Sequence, residues 1–340
     1  IAGAFGTVQR ALFAKRMAFR PLTVVRLASS VASGIAAIWL ASKGFGVFAL
    51  AGQTLVAAVV ATVLLWLLSP WRPRLVFRTA SARRLFGFGG YMLAASFLEM
   101  AYSRAYTLLV GKLHGPADLG QYARAEASTA LVSGGVVYPM LQVAFPAFSR
   151  ISDDRERMGE GMRMALRTGG RVSAPAMLGL AGGAGPFVRL CYGPQWEPAV
   201  PLLQILCIGG VLMPLHVLNL QALMSLGRSD LFLRLEIAKK AVGVTILVIA
   251  SHWGVTGVAW GMALTGVLAA GINSSQAGQL LGYGGASQLR DILPSTLAAL
   301  AMALCVHAAI SGLQIGHDAL AMAVGIALGG AIYLATALGL

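Results

Sequence analysis

Charged residues are scarce in this chain. Aspartate, glutamate, lysine and arginine make up 11% of its 340 residues, whereas 57% are hydrophobic and the mean hydropathy is +0.76. A soluble domain carries about 25% charged residues. The shortage excludes an ordinary soluble domain and indicates a membrane protein, so the length is best divided into membrane spans.

Cysteine is also rare, and the few cysteines exclude two kinds of site. Cys191, Cys207 and Cys305 form no CxxC motif and have no histidine at metal-ligand spacing, which argues against a disulfide framework or a zinc site. The HExxH, GxxxxGK[ST], GxSxG and EF-hand motifs are absent as well. We therefore expect no enzyme active site, no metal and no cofactor.

What the sequence does contain is a series of long apolar runs. Ten runs of about 20 residues or more predict an all-α polytopic membrane protein with about ten transmembrane helices. The predicted spans are 22–42, 46–69, 87–111, 118–148, 172–191, 199–226, 231–251, 255–280, 292–312 and 315–339.

The lysines and arginines fall mostly on one side of these spans. If the spans alternate strictly, 21 of the 26 cations lie on one side, and the other side keeps only Lys43, Lys112, Arg124 and Arg189. The positive-inside rule makes the 21-cation side cytoplasmic and places the C-terminus inside. This distribution accounts for the net charge of +14, so we expect no nucleic-acid partner.

Two polar segments lie on the predicted cytoplasmic side. "SLGRSDLFLRLEIAKKAVGV" (225–244) holds six charged residues; it is either an ordinary connection at the membrane edge or a basic site. The segment 149–171 carries Arg163, Arg167 and Arg171 at every fourth position. We expect this second segment to form an amphipathic helix at the inner membrane interface, attracted to anionic lipid.

Ionisable residues also stand inside the predicted spans. Glu99 and Arg104 lie in the third span, and Arg124 and Glu126 lie just inside the fourth. Charges at membrane depth are costly and usually face a bundle interior or a wet cavity. Glu99 and Arg104 are about 140° apart around a helix, so each is expected to find a partner on another helix. Two interpretations are open, a polar substrate cavity and a structural interhelical pair.

For Arg124 and Glu126, the alternative to a cavity role is snorkelling to the outer interface. Uncharged polar residues within the spans are expected to join helices to one another rather than to bind substrate. They are Gln53, Gln142, Gln204, His216, Asn219, Asn273 and Gln276.

An internal repeat is visible at an offset of 211 residues. "RAL" at 10–12 and "QAL" at 221–223 are each followed by a cationic turn, a span, a glycine-containing turn and a second span. Ala11 corresponds to Ala222 and Gly46 to Gly257 without a gap. Such repeats are typical of two-lobed transporters. The first copy lacks the beginning of its lobe, and we expect the chain to be N-terminally truncated.

Several segments resemble those of a known family. They are "LLWLLSPWRPRL" (64–75), "LLVGKLHGPADLGQYARA" (108–125), "FPAFSRISDDRERM" (145–158), "FVRLCYGPQWEPAVPLLQIL" (187–206) and "ALMSLGRSDLFLRLEIAKK" (222–240). The chain is similar in these segments to the Wzx-type polysaccharide flippases of the multidrug/oligosaccharidyl-lipid/polysaccharide exporter superfamily. It departs from relatives at Tyr106, near which they often have an acidic residue, so the resemblance does not extend to cation coupling through that position.

The resemblance implies two six-helix lobes around a central cavity. On that plan residues 1–84 end the N-lobe and include a cytoplasmic linker, residues 85–285 form the C-lobe, and residues 286–340 form two additional helices. The implied activity is to flip undecaprenyl-pyrophosphate-linked oligosaccharide across the bacterial inner membrane by alternating access, for capsule, exopolysaccharide or O-antigen synthesis. The implied partners are this lipid-linked substrate, membrane lipids, and the polysaccharide polymerase and export machinery.

Pyrophosphate favours arginine donors, which suggests candidate substrate contacts. Arg104, Glu99 and Arg124 are the candidates for the substrate cavity, and Arg26, Arg234, Lys239 and Lys240 are the candidates for the cytoplasmic rim. A cation-coupled multidrug exporter of the same superfamily is the first alternative, and a membrane-bound polymerase or acyltransferase is the second.

Overall fold

The computed structural model describes residues 2–46, 48–73, 79–312 and 317–338. Arg74 and Arg78 of the predicted linker lie outside the described residues, as do the side chains of Arg84 and Tyr106. Within the described ranges the chain is helical and has no strand. The α-helices are α1 (Thr7–Lys15), α2 (Phe19–Ser42), α3 (Phe48–Leu68), α4 (Thr79–Arg150), α5 (Arg155–Gly182), α6 (Ala184–Tyr192), α7 (Ala199–Gly210), α8 (Met213–Ser225), α9 (Ser229–Ala250), α10 (Gly254–Leu281), α11 (Gly285–Gly312) and α12 (Asp318–Leu338).

Each of the ten predicted spans overlaps helix, which confirms the all-α membrane architecture. In the described residues, six helical stretches are long and apolar enough to cross a membrane, or seven if the bent pair α7–α8 is one span. Two of the six stretches, of 66 and 53 residues, each contain a break between two helices. A straight 66-residue helix would be about 99 Å long, about three times the thickness of a hydrocarbon core.

The break in α4 is at Gly115, where φ is 88° and ψ is 171°. Only glycine adopts this backbone conformation at little cost. Pro116 follows, and proline is well suited to the first turn of a new helix because its missing N–H needs no partner there. The sequence "HGPAD" thus separates two helices, 79–114 and 116–150, which match the third and fourth predicted spans.

The chain forms two compact units, residues 1–79 and residues 80–340. In the first unit α2 and α3 pack along each other, and the indole nitrogen of Trp66 on α3 donates a hydrogen bond of 2.9 Å to the carbonyl oxygen of Phe5. In the second unit α5 is central, because it packs against α7, α8 and α11. The two predicted additional helices, α11 and α12, belong to this second unit and pack against each other and against α5.

The polar segment 149–171 contains an amphipathic helix, as we expected, but this helix packs on the protein. Its residues 155–171 form the first part of α5, which continues without interruption into the apolar sequence up to Gly182. The Asp154 carboxylate caps this helix by accepting hydrogen bonds of 3.1 Å from the backbone N–H groups of Glu156 and Arg157. Met158, Met162 and Leu166 are fully buried against other helices. The apolar face therefore packs on the protein core rather than on lipid.

Both copies of the internal repeat are pairs of adjacent helices. α2 and α3 pack together, with a turn described at residues 43–46 after α2, and α9 and α10 pack together across residues 251–253. In the second copy Gly257 lets the helices approach closely, since a Cβ there would lie 2.4 Å from the carbonyl oxygen of Ala250. The matching order of elements supports the repeat.

Buried amides join the helices of the second unit, as the sequence predicted. Asn219 on α8 donates hydrogen bonds to Gln288 Oε1 on α11 at 2.7 Å and to Ser274 Oγ on α10 at 3.2 Å. Gln288 returns a bond of 3.1 Å to Asn219 Oδ1. Both amide side chains are fully buried, so this network ties α11 to α8 and α10.

Candidate functional site

A charged network joins α4 and α9 within helical stretches that are long and apolar enough to span a membrane. Lys240 Nζ lies 2.5 Å from Glu99 Oε2 and 4.4 Å from the centroid of the Tyr102 ring. Glu99 and Tyr102 share a face of α4 because they are three residues apart. The lysine side chain is 19% exposed and the glutamate side chain is 58% exposed. Glu99 thus has the partner on another helix that its position predicted, and part of its carboxylate side chain stays open.

A second ion pair extends this network into the protein interior. Lys239 and Glu236, one turn apart on α9, form a hydrogen-bonded pair whose side chains are only 4% and 8% exposed. Lys240 Nζ also lies 3.9 Å from Glu236 Oε2. We define Glu99, Glu236, Lys239 and Lys240 as the charged network. Burying a charge in an apolar environment costs free energy. The two carboxylates and two ammonium groups offset part of this cost because they attract one another.

The candidate rim residues occupy three different environments. Lys239 is buried in the charged network, so it is not an exposed rim residue. Lys240 is mostly covered and bridges two helices, whereas Arg234 is exposed on α9. Arg26 is exposed on α2 in the first unit.

The candidate cavity residues also differ from one another. Arg104 is exposed on α4, five positions after Glu99. Arg124 stacks on two aromatic rings, with its guanidinium carbon 5.4 Å from the ring centroid of Tyr192 and 5.0 Å from that of Trp196. These rings come from the "CYGPQW" connection between α6 and α7. Arg124 thereby holds this connection against α4 through cation–π contacts.

A second cluster, which the sequence did not predict as a unit, surrounds Asp291 on α11. Its carboxylate accepts from Arg163 Nε at 2.8 Å, Arg167 Nη2 at 2.7 Å and the Tyr283 hydroxyl at 2.5 Å. Burial and the hydrogen bond to Asp291 raise the pKa of the Tyr283 phenol above its ordinary value, so this group donates at physiological pH. The available signal was a single aspartate at the start of an apolar run, "LRDILPSTLAAL".

A third charged contact fixes the beginning of α12. Arg189 on α6 donates from Nε to Asp318 Oδ1 at 2.9 Å and from Nη1 to Glu197 Oε1 at 3.2 Å. Arg189 was one of the few cations on the predicted outer side. The contacts of Asp291 and Asp318 therefore attach both α11 and α12 to the helices of residues 80–285.

The chemistry available at these clusters is ion pairing and hydrogen bonding. Among the described residues no group of three or more histidine, cysteine, aspartate or glutamate side chains is arranged to hold a metal ion. The charged network offers lysine donors and a half-open carboxylate inside an apolar helix pair. Ionisable side chains within apolar helices are typical of sites that bind a charged group or let it pass.

Comparison with known proteins identifies the relatives of this chain. Residues 1–201 match the family described as "Polysaccharide biosynthesis protein". The chain is 29% identical over 210 residues to the succinoglycan biosynthesis transport protein ExoT of Rhizobium meliloti, which covers 62% of this chain and 42% of ExoT. It is 30% identical over 200 residues to the lipopolysaccharide biosynthesis protein WzxC of Escherichia coli, which covers 58% of this chain and 40% of WzxC.

The fold is similar to that of a solved structure. The lipid II flippase MurJ in its inward closed conformation matches with a TM-score of 0.64 at 15% identity, over 91% of this chain and 66% of MurJ. This likeness shows the fold. The chain spans about two fifths of the length of ExoT and WzxC in these matches.

Proposed function

We propose, because the chain belongs to the polysaccharide biosynthesis protein family, that it works as a flippase for lipid-linked saccharide. The substrate would be an undecaprenyl-pyrophosphate-linked oligosaccharide used for capsule, exopolysaccharide or O-antigen synthesis. The names of ExoT and WzxC, a succinoglycan transport protein and a lipopolysaccharide biosynthesis protein, support this substrate class. Transport by alternating access, rather than an enzymatic reaction, is part of the proposal.

The observation that carries the proposal is the ion pair between Glu99 and Lys240, in which the glutamate side chain stays exposed. It lies in helices long and apolar enough to span a membrane. A fully buried pair would serve packing alone, but 58% of the Glu99 side chain is accessible. Arg104 is exposed on the same helix. Glu99 and Arg104 thus give α4 two exposed ionisable side chains on different faces, which a pyrophosphate–sugar headgroup would meet in an otherwise apolar setting.

The orientation and the domain plan belong to the same proposal. The spans lie in a bacterial inner membrane. Their cation-rich side faces the cytoplasm, and the C-terminus is on that side. Residues 1–84 end an N-lobe, residues 85–285 form the C-lobe, and residues 286–340 add two helices to it. Arg26 of the first unit and Arg234 of the second, both exposed, would each meet anionic lipid on the cytoplasmic side. Polymerase and export proteins would act after the flipping step.

Accumulation of the lipid-linked intermediate tests this function. In cells that lack the protein, the complete lipid-linked saccharide should accumulate on the cytoplasmic side, where a lectin added to spheroplasts does not reach it. A polymerase or acyltransferase would instead leave single units accessible from outside. A multidrug exporter would change drug susceptibility and leave the intermediate at its normal level. Either of these two results would overturn the proposal.

A further inference from the structure

A polar cleft lies between α5, α11 and α12, on the predicted cytoplasmic side. Its volume is about 330 Å³, and its lining includes Arg167, Arg171, Arg290, Asp291 and Tyr333. The Tyr333 hydroxyl donates to the carbonyl oxygen of Arg171 at 2.8 Å, which joins α12 to α5 beside the cleft. The cleft is therefore bounded by three helices that are held together by direct contacts.

The cleft carries an excess of positive charge. Its one carboxylate, Asp291, already accepts hydrogen bonds from Arg163, Arg167 and Tyr283. Arg171 and Arg290 are exposed, and neither forms an ion pair within 4.0 Å in the part of the chain that the structure describes. Two guanidinium groups thus line one cavity with their donors available. Planar guanidinium groups match the oxygens of a phosphate group.

The polar cleft continues into an apolar groove. The groove shares Arg290 and Pro294 with the cleft and runs along Leu293 and Leu297 of α11 and Ala335 of α12, with a volume of about 570 Å³. Leu293 and Leu297 are exposed. A cationic cleft that opens into an apolar groove fits a molecule with an anionic head and a hydrocarbon tail better than it fits a free anion.

We propose that this cleft binds an anionic phospholipid of the inner leaflet. Arg171 and Arg290 donate to its phosphate, and one acyl chain lies along Leu293 and Leu297. The residues involved come from α5, α11 and α12 and include none of the charged network on α4 and α9. The site is therefore separate from the proposed substrate path, and a bound lipid would hold α12 against α5 and α11.

Native mass spectrometry of the purified protein tests the site. The protein is released from nanodiscs of phosphatidylcholine with phosphatidylglycerol, and retained phosphatidylglycerol is counted for three forms. These are the wild type, R171A/R290A, and the control R155A/R157A, which removes two arginines from the first turn of the same helix. R171A/R290A should retain at least about tenfold less phosphatidylglycerol, because a hydrogen bond to a charged group contributes at least one such factor. The control should match the wild type.

Competition identifies the source of the phosphate. Millimolar glycerol 3-phosphate or inorganic phosphate should leave the bound phosphatidylglycerol in place, because neither fills the apolar groove. Displacement by either anion would show a simple anion site and overturn the proposal, as would displacement by polyprenyl pyrophosphate at equal concentration. Equal retention by all three protein forms would also overturn it. The readout is lipid retention, so it is independent of whether the proposed transport function holds.

Discussion

Lys240 on α9 contacts Glu99 on α4, with 2.5 Å between Nζ and Oε2, although the two residues are far apart in the sequence. The contact joins the segment "GRSDLFLRLEIAKK" to the glutamate of the third predicted span. A basic segment at a helix junction and an isolated glutamate in an apolar run are thus parts of one network. Whether this pair serves transport or packing can be decided by exchanging its charges.

Exchange of the two charges separates the two roles. Lys240→Met should reduce polysaccharide export at least about tenfold, because the loss of a contact to a charged group costs about 1.5–3 kcal/mol. The double variant E99K/K240E restores an ion pair in reversed order. We expect it to fold but to stay defective, since the more exposed position 99 then carries an ammonium group in place of the carboxylate and the headgroup meets the two charges in reversed order. Export is measured as polymer released by a deletion strain carrying each variant.

Recovery of export in E99K/K240E would mean that the pair only holds α4 against α9. Protein levels in the membrane fraction must be equal for the comparison. Arg155→Ala is the matched control, because Arg155 is an exposed cation on α5 outside the charged network.

Arg104, on the same helix as Glu99, supplies an independent test of the proposed substrate contacts. It is exposed on α4, so Arg104→Ala should leave the amount of folded protein unchanged. If Arg104 contacts the anionic headgroup, export should fall by at least about tenfold, while Arg104→Lys should retain part of it because the charge remains. Normal export by Arg104→Ala at wild-type protein levels would assign this residue to the protein surface alone.

The sequence predicted the helices of this fold far better than the contacts between charged residues. Spans follow from local apolar runs of about 20 residues, and amides such as Asn219 were expected to join helices because they stand in such runs. The ion-pair partner of a charged residue, by contrast, is set by packing between segments that are distant in sequence. Asp291 was therefore not recognised as the centre of an arginine cluster, and Lys239 was expected at a rim although its ion pair with Glu236 buries it.

The amphipathic segment shows why local pattern alone was insufficient. The positions of Arg163 and Arg167 are typical of an interfacial helix, and that helix exists as the first half of α5. Its apolar face could cover lipid or protein with the same sequence. Only the fold shows that Met158 and Met162 are buried among other helices while the arginines pair with Asp291.

The buried pair Glu236–Lys239 predicts an order of stability among variants. Glu236→Gln leaves Lys239 without its partner and should destabilise the protein by about 3 kcal/mol or more, because an uncompensated charge remains buried. Lys239→Met should cost less, since Lys240 Nζ still lies 3.9 Å from Glu236 Oε2. Thermal unfolding in detergent, followed by the loss of the monodisperse peak, measures both. The opposite order would show that Lys240 does not support Glu236.

The Asp291 cluster should stabilise the attachment of α11 to α5. Asp291→Asn weakens the hydrogen bonds from Arg163, Arg167 and Tyr283 and should lower the Tm by about 2–4 °C. The effect is kept small because both arginine side chains are about half exposed, at 53% and 51%. Asp153→Asn, an exposed position with the same change of charge, should leave the Tm unchanged. Equal shifts in both variants would indicate a general charge effect instead.

Cysteine accessibility tests the membrane orientation, and the structure decides where the reporters belong. Gly115 has a φ of 88°, so a cysteine there would be strained, whereas Ala117 is exposed two residues later and accepts the change. With the three native cysteines replaced, Ala117→Cys should react with an impermeant maleimide added to whole cells, because the break in α4 lies on the predicted outer side. Arg155→Cys should react only after permeabilisation. The reverse pattern would invert the proposed topology and move the arginine cleft to the outer leaflet.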